Sequence, residues 1–207
     1  MSDQLKGYVL VVTAGIIWGF NGLFVSALGA LGLEPIAIAF TRYAFASLLM
    51  VPLLALRGRS SERNLFAVTG GQMGLCAVIG TLCNAVAFAA NCVSMEEVGV
   101  SSATVLLYTA PVFGCLLARA LYKERVTIQK LAAFALNLAG VVLVVTGGGL
   151  GVITQGSLSL LGIGTGLLNA LLFALAAPLN KPIAKKCSPF TVVFWSMGWA
   201  ALASGLL

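Results

Sequence analysis

Seven long apolar runs restrict what this chain can fold into. They occupy residues 8–29, 35–56, 69–91, 100–121, 128–147, 158–179 and 188–207. Each run is about 20 residues long, which is the length of α-helix that crosses a hydrocarbon core about 30 Å thick. Strands of an outer-membrane barrel would be about ten residues long and would alternate in polarity. The runs therefore predict an all-α, polytopic helical membrane protein whose solvent is the lipid bilayer.

Charged residues are scarce, at 9% of the 207 residues, whereas hydrophobic residues make up 60%. A soluble domain carries about 25% charged residues, because its surface has to remain in water. The first run is too long for the apolar part of a signal peptide, and it contains Trp18 and Asn21. It is therefore predicted to be a retained span.

Basic residues alternate between the links that join the runs. Eleven of the twelve lysines and arginines lie at the amino terminus, in the links that follow the second, fourth and sixth runs, or at the run ends that adjoin those links. The positive-inside rule predicts that these links and the amino terminus are cytoplasmic, in a multi-pass protein of the cytoplasmic (inner) membrane. The net charge of +6 follows from this pattern, so no nucleic-acid partner is predicted.

Residue types that carry catalytic or metal chemistry are rare in the runs. The chain has no histidine, and its five cysteines show no CxxC spacing. No aspartate or glutamate lies within a run as bounded above, since Glu96 and Glu97 fall in the link after the third run. His-based triads, thiolate metal sites and paired carboxylates are therefore not expected. The sequence predicts no enzyme activity, no metal site and no cofactor.

Polar side chains within the runs are the main candidates for function. Buried amides are costly in lipid unless they find hydrogen-bond partners, so they point towards other helices or towards a wet cavity. Hydrogen bonding between helices would explain any one of them, whereas together they suggest a pathway for a solute. The candidate solute-binding residues are Trp18, Asn21, Arg42, Asn84, Tyr108 and Asn169.

Arg42 is the one basic residue that lies away from the ends of the runs, in the stretch IAFTRYAFASLLM (Ile38–Met50). It lies about 10 Å from the predicted outer start of its helix, so its long side chain could snorkel part of that distance. Ala39 and Ala46 flank it on the same helix face, which favours a helix contact over lipid. A structural role and a substrate-facing or gating role both stay open, because charges within the membrane are candidates for function.

Pro111 lies inside the fourth run, where it removes one backbone hydrogen bond. It predicts a kinked or loosened helix around Tyr108–Cys115. Such a break is tolerated where the freed carbonyl faces protein or water. A static kink and a transport hinge are both open interpretations.

Small residues mark two further helix faces. Gly15 and Gly19 form a GxxxG pattern on the first run, and GIGTG occupies residues 162–166 of the sixth. Both patterns are typical of faces that let helices approach each other closely.

Three stretches of the first half carry a family resemblance. GIIWGFNGLF (Gly15–Phe24) has Trp-Gly followed by a polar residue, and EPIAIAFTRYAFASLL (Glu34–Leu49) has a proline with an arginine seven residues later. The longest is VSSATVLLYTAPVFGCLLARALYKERVTIQKLAAFALNLAGVVLVV (Val100–Val145), with its proline, its Glu-Arg pair and its glycine-containing last span. Together they resemble the EamA-type family of the drug/metabolite transporter superfamily. The resemblance covers residues 8–147 as one five-span unit.

The second half resembles the start of another copy of that unit, in LFALAAPLNKPIAKKCSPFTVVFWSMGW (Leu172–Trp199). The matched positions are Pro35 with Pro189, Arg42 with Ser196, and approximately Trp18 with Phe173. Because each copy has an odd number of spans, the second enters the membrane from the opposite side. The expected organisation is a five-helix repeat over residues 1–150 and the start of an inverted, incomplete repeat over 151–207, truncated after two spans.

The resemblance implies a secondary transporter that moves a small organic metabolite across the cytoplasmic membrane by alternating access, with export as its direction. Family members carry amino acids, other metabolites and drug-like solutes, and the residues here do not choose among them. A non-transporting membrane subunit or scaffold stays open as the alternative, because the second repeat is incomplete. Homo-oligomerisation also stays open.

Overall fold

The fold is that of a computed structural model, which describes residues 3–60, 66–123, 127–145, 159–184 and 186–206. These residues form α-helices and one π-helical segment, with no strand among them. The elements are α1 (Asp3–Ala30), α2 (Pro35–Ser60), α3 (Gly70–Val78), the π segment (Ile79–Val86), α4 (Ala87–Leu107), α5 (Ala110–Tyr122), α6 (Ile128–Val145), α7 (Leu160–Ala184) and α8 (Pro189–Leu206). Five helical stretches in the described residues are long and apolar enough to cross a membrane. The predicted all-α, polytopic membrane class is confirmed.

Proline and glycine set several helix boundaries. α1 ends before a turn in which Gly32 has a φ of 84°, a conformation that glycine reaches without steric cost. α2 and α8 both begin at a proline, Pro35 and Pro189. Proline suits the first helical position because its fixed φ is helical and its missing N–H would have no partner there.

The third and fourth predicted spans are not separated by a loop. Helical structure runs from Gly70 to Leu107, and its chain direction changes at Gly99, where φ is 82° and ψ is 157°. The expectation that Glu96 and Glu97 lie in a link was therefore wrong, because the helix continues through them as far as this glycine. Both side chains are exposed.

The fourth predicted span, 100–121, is interrupted near Pro111, where the sequence predicts a kinked or loosened helix. α4 ends at Leu107 and α5 begins at Ala110, with Pro111 in the first turn of α5. Proline cannot donate to the carbonyl four residues earlier and its ring crowds the preceding turn, so the helix breaks upstream of it. The break makes α5 one of the shorter apolar helices of the described chain, and α6 is another.

The core lies where α2, the π segment, α4, α7 and α8 pack together. One buried cluster joins α2, α4 and α8 and consists of Ala39, Tyr43, Phe88, Cys92, Ala200 and Ala201. A second cluster joins α3, the π segment, α7 and α8 and consists of Cys76, Ile79, Cys83, Ile183 and Val192. These contacts fix the relative positions of the helices that carry most of the candidate residues.

A stripe of small residues lets α7 approach α4 and α5. Its buried members, spaced four residues apart, are Gly162, Gly166, Ala170, Ala174 and Pro178. A Cβ atom on Gly166 would lie 2.7 Å from both the Leu106 Cδ1 and the Ser94 Oγ atoms. The close-packing face predicted from GIGTG is therefore present.

The prediction of a close-packing face at Gly15 and Gly19 was wrong as far as contacts with the described residues are concerned. A Cβ atom on either glycine would meet nothing within 4 Å among the described residues. α1 lies at the periphery and its described side chains are mostly exposed, so its apolar surface is available to lipid. The GxxxG pattern alone was too common a signal to identify a contact.

Contacts between helix ends show which links share one end of the bundle. The Lys181 Nζ atom lies 4.0 Å from the centroid of the Tyr122 ring, so the carboxyl ends of α5 and α7 are adjacent. At the opposite end of α7, the Ser159 hydroxyl donates to the Glu97 carboxylate. The ends of α5 and α7 that lead into the basic links after the fourth and sixth runs therefore lie together. Which end is cytoplasmic stays a prediction.

Candidate functional site

Arg42 is held against two aromatic rings within α2 and α4. Its Cζ atom lies 4.4 Å from the centroid of Phe88 and 4.7 Å from that of Tyr43. Its Nη2 atom donates a hydrogen bond of 2.9 Å to the Tyr43 hydroxyl. Ring faces attract cations electrostatically, and more strongly where water is excluded. The guanidinium therefore has interaction partners that do not require a carboxylate, and its side chain is only partly buried.

Tyr43 connects this cation to the π segment. Its hydroxyl, the same one that accepts from Arg42, donates 3.1 Å to the backbone carbonyl of Asn84. The structure thus brings together two of the residues predicted from sequence, Arg42 and Asn84, through a third that the sequence analysis did not select. Asn84 takes part through its backbone, and its side chain is half-buried.

The π segment is packed tightly against α8. A Cβ atom on Gly80 would collide with the Ser196 carbonyl oxygen and would lie 2.7 Å from the Trp199 Cβ atom. Ser196, the residue matched to Arg42 in the second copy, is 3% exposed. Its hydroxyl oxygen is buried and finds no hydrogen-bond partner among the described residues. The π segment therefore contacts both Tyr43, the hydrogen-bond partner of Arg42, and Ser196.

Asn169 forms a hydrogen bond between helices. It is 4% exposed, and its Nδ2 atom donates 2.9 Å to the Asn91 Oδ1 atom. The Asn91 amide nitrogen in turn contacts the Met95 sulfur at 3.7 Å. This arrangement joins α7 to α4, which is the interhelical bonding that the sequence analysis weighed against a solute contact. Asn91 is not among the candidate residues selected from the sequence.

Trp18 is the main aromatic contact between α1 and α7. Its ring packs edge-to-face with that of Phe173, with centroids 5.7 Å apart and planes at 78°. Trp18 remains 60% exposed, so a large part of the ring is free to contact lipid or a solute. Asn21 lies one turn further along α1, and its side chain is outside the part of the chain that the structure describes.

Tyr108 lies at the carboxyl end of α4, at the break before Pro111. Its side chain is 61% exposed. Its backbone carbonyl accepts a hydrogen bond of 3.0 Å from the Asn137 Nδ2 atom on α6. The break between α4 and α5 lies at this residue, within the stretch Tyr108–Cys115 where the sequence predicts a kinked or loosened helix.

Residues 5–146 match a model of the EamA-like transporter family. This span is most of the chain and takes in α1 to α6, including Arg42 and the break at Pro111. The chain belongs to the EamA-like transporter family. The resemblance seen in the sequence is thereby confirmed.

The EamA chain is also similar to a protein of Archaeoglobus fulgidus described as an uncharacterized transporter. The two are 26% identical over 197 residues, which is 95% of this chain and 64% of the relative. The chain thus spans just under two thirds of the length of this curated relative. No solved structure matches the chain described here.

The candidate residues of this EamA protein fall into four places. Arg42 and Asn84 meet through Tyr43, Asn169 pairs with Asn91, Trp18 meets Phe173, and Tyr108 meets Asn137. Tyr43 could have been selected from its position, since it is a hydroxyl-bearing aromatic beside a charge in an apolar run. The most unusual chemistry in the described spans is the Arg42 guanidinium, which can attract an anionic group or orient a polar one.

A small cavity lies beside the Phe88 ring, between α2, α4 and α8. It is lined by Pro35, Ile36, Ala39, Ala85, Phe88, Ala89 and Ser204. Its volume of about 10 Å³ is room for about one water molecule. Sites for small organic molecules are about 300–1,000 Å³. A solute that reached Arg42 from this side would therefore need the helices to separate.

Proposed function

We propose that this EamA protein moves a small organic solute, an amino acid or a similar metabolite, out of the cell across the cytoplasmic membrane. Transport proceeds by alternating access, with the amino terminus on the cytoplasmic side. Membership of a family of transporters and the likeness to a protein described as a transporter both support this function. The grouping of eleven basic residues into alternate links supports the orientation.

One structural observation carries the proposal: a cation in the middle of an apolar helix, partly accessible, and held against two aromatic rings and a tyrosine hydroxyl. A cation in the membrane is costly, and its retention favours a function. We assign Arg42 to recognition of the anionic or carbonyl end of the solute. Trp18 offers an apolar surface to the remainder of the solute.

Two features support an inverted-repeat arrangement for this function. The matched positions Trp18 and Phe173 contact each other. The second helices of the two copies, α2 and α8, pack together in the cluster that contains Tyr43 and Ala200. Contact between equivalent elements is what a pseudo-two-fold axis between the copies would produce.

Efflux from reconstituted vesicles tests the proposed function. Purified protein in vesicles of defined lipid would be loaded with radiolabelled amino acids and other small metabolites, one at a time. We expect efflux of at least one solute above that of protein-free vesicles, and competition by its unlabelled form. An absence of flux for the whole panel, with the protein correctly inserted, would favour a non-transporting membrane subunit or scaffold.

A further inference from the structure

At each end of α5, a proline interrupts the backbone hydrogen bonding of a helix. At its amino end, the Val112 N–H bonds to the Thr109 carbonyl at 2.9 Å, although in a continuous helix it would bond to that of Tyr108. Pro111 causes this change, because it can neither donate a hydrogen bond nor fit a regular preceding turn. The Tyr108 carbonyl is thus released from the helix.

A side chain from α6 donates a hydrogen bond to the released carbonyl. The Asn137 Nδ2 atom donates to the Tyr108 oxygen at 3.0 Å, across 29 positions of the chain. The Asn137 Oδ1 atom is buried and has no hydrogen-bond partner among the described residues. A buried amide that makes only part of its hydrogen bonds contributes less stability than a fully paired one. This hydrogen bond therefore pairs the Tyr108 carbonyl at the break. Breaking it costs less free energy than breaking the bond of a fully paired amide would.

The same arrangement occurs at the other end of α5. Pro182 lies inside α7 and has no N–H for the carbonyl four residues earlier, which is that of Pro178. The Tyr122 hydroxyl at the end of α5 donates to that carbonyl at 2.8 Å. The Lys181 ammonium lies over the Tyr122 ring and adds a cation–π contact.

Between these two bonds, the contact of α5 with α7 is apolar and smooth. It consists of Ala110, Phe113 and Leu117 against Ala170 and Ala174. A Cβ atom on Gly114 would lie 4.0 Å from the Ala174 Cβ atom, so there is space at the centre of the contact. Smooth contacts between packed helices permit small sliding movements, whereas hydrogen bonds at fixed positions oppose them.

We propose that α5 is a mobile lever, held in this conformation by two releasable bonds, one from Asn137 to the Tyr108 carbonyl and one from Tyr122 to the Pro178 carbonyl. The break at Tyr108–Thr109 is its pivot. Release of both bonds lets α5 slide along α7 and change access to the interior. Its role in transport rests on the function proposed above, but both bonds can be tested without a solute.

The test measures the position and exposure of α5 directly. Nitroxide labels on p-acetylphenylalanine at the exposed positions 123 and 186 report the distance between the ends of α5 and α7. Hydrogen exchange reports the opening of the backbone over Tyr108–Phe113. The variants are Tyr122→Phe, which removes only the hydroxyl, and Asn137→Leu, which removes the amide at similar volume. Tyr8→Phe on the exposed surface of α1 is the matched control for the hydroxyl.

We expect Tyr122→Phe to broaden the distance distribution and Asn137→Leu to speed exchange at the break by about fivefold, the effect of one net hydrogen bond. Asn137→Gln, which keeps the amide, should restore slow exchange, and Tyr8→Phe should change neither quantity. Unchanged distances and exchange in correctly folded variants would overturn the proposal, as would an effect in only one of the two variants. Altered distances without flux of any solute would support the proposed movement of α5 and contradict the proposed transport function. Normal flux with unaltered distances would support the transport function and contradict the movement of α5.

Discussion

The Tyr43 hydroxyl accepts a hydrogen bond from Arg42 and donates one to the Asn84 carbonyl, with donor–acceptor distances of 2.9 and 3.1 Å. The intramembrane cation is therefore joined to the π segment through one phenolic oxygen. Because α2 and the π segment lie 41 positions apart at this contact, the bond also ties two spans together.

Replacing Tyr43 with phenylalanine removes both hydrogen bonds and keeps the ring. We expect the free energy of unfolding to fall by about 1–3 kcal/mol, since the bond from Arg42 involves a charged donor and the Asn84 carbonyl loses a donor. Reversible unfolding in mixed micelles titrated with sodium dodecyl sulfate measures this change. Tyr8→Phe on α1, whose side chain is 70% exposed, should leave the free energy unchanged. Equal effects of the two substitutions would contradict this account of Tyr43.

Replacing Arg42 with alanine should reduce solute efflux at least about tenfold, because a charge-assisted hydrogen bond contributes about 1.5–3 kcal/mol. Insertion into the membrane should not change, since removing a charge lowers the cost of burying the span. The measurement is efflux from vesicles at matched protein content, with protease protection of the links as the check on insertion. Lys130→Ala, on the exposed start of α6, is the charge-matched control. Unimpaired efflux by the Arg42 variant would rule out a role in solute recognition.

Adding a methyl group at Gly166 should destabilise the contact between α7 and α4. The new Cβ atom would lie 2.7 Å from two side-chain atoms, and overpacking of this kind costs about 1–3 kcal/mol. Gly164→Ala is an internal control, because a Cβ atom there meets nothing within 4 Å among the described residues. The control should be neutral or slightly stabilising, since alanine favours helix more than glycine does. Thermal unfolding of both variants in micelles makes the comparison, and similar losses in both would contradict the close packing.

Replacing Asn169 with leucine should leave the Asn91 amide without its partner in the described contact. Interhelical hydrogen bonds in membrane proteins contribute about 0.6 kcal/mol on average and about 1.7 at most. A double-mutant cycle with Asn91→Leu measures the coupling directly. We expect a coupling energy within that range and a double variant that is more stable than the sum of the single losses implies. Strict additivity would show that the two amides do not interact.

The sequence contains enough information for the class of fold and for some of its contacts. Apolar runs of membrane-spanning length identify the helices, and the spacing of Gly162 and Gly166 identifies a face that does pack closely. Both inferences depend on local patterns, which a single sequence displays. Pro111 likewise marks a break, because its effect on the preceding turn is local.

Pairings between distant residues could not be read in the same way. Asn91 and Asn169 are 78 positions apart, and nothing in either span says that these two amides meet. The π segment IGTLCNAV has no proline and no unusual residue that would distinguish it from an α-helix. At Gly15 and Gly19 the sequence predicts a contact that the structure does not show. The GxxxG pattern is typical of helix contacts, yet these two glycines make no close contact with the described residues. Which surfaces meet is decided by the packing of the whole bundle.

The peripheral position of α1 bears on how the protein is made. With most of its described side chains exposed, this helix depends for its stability on the transfer of apolar residues from water to lipid. Such a segment can enter the bilayer before the others have been synthesised, and it needs little from them afterwards. Apolar replacements at the exposed positions of α1 should then be tolerated in biogenesis, whereas Trp18, which packs on Phe173, and Val25, which packs against the cluster around Tyr43, are exceptions.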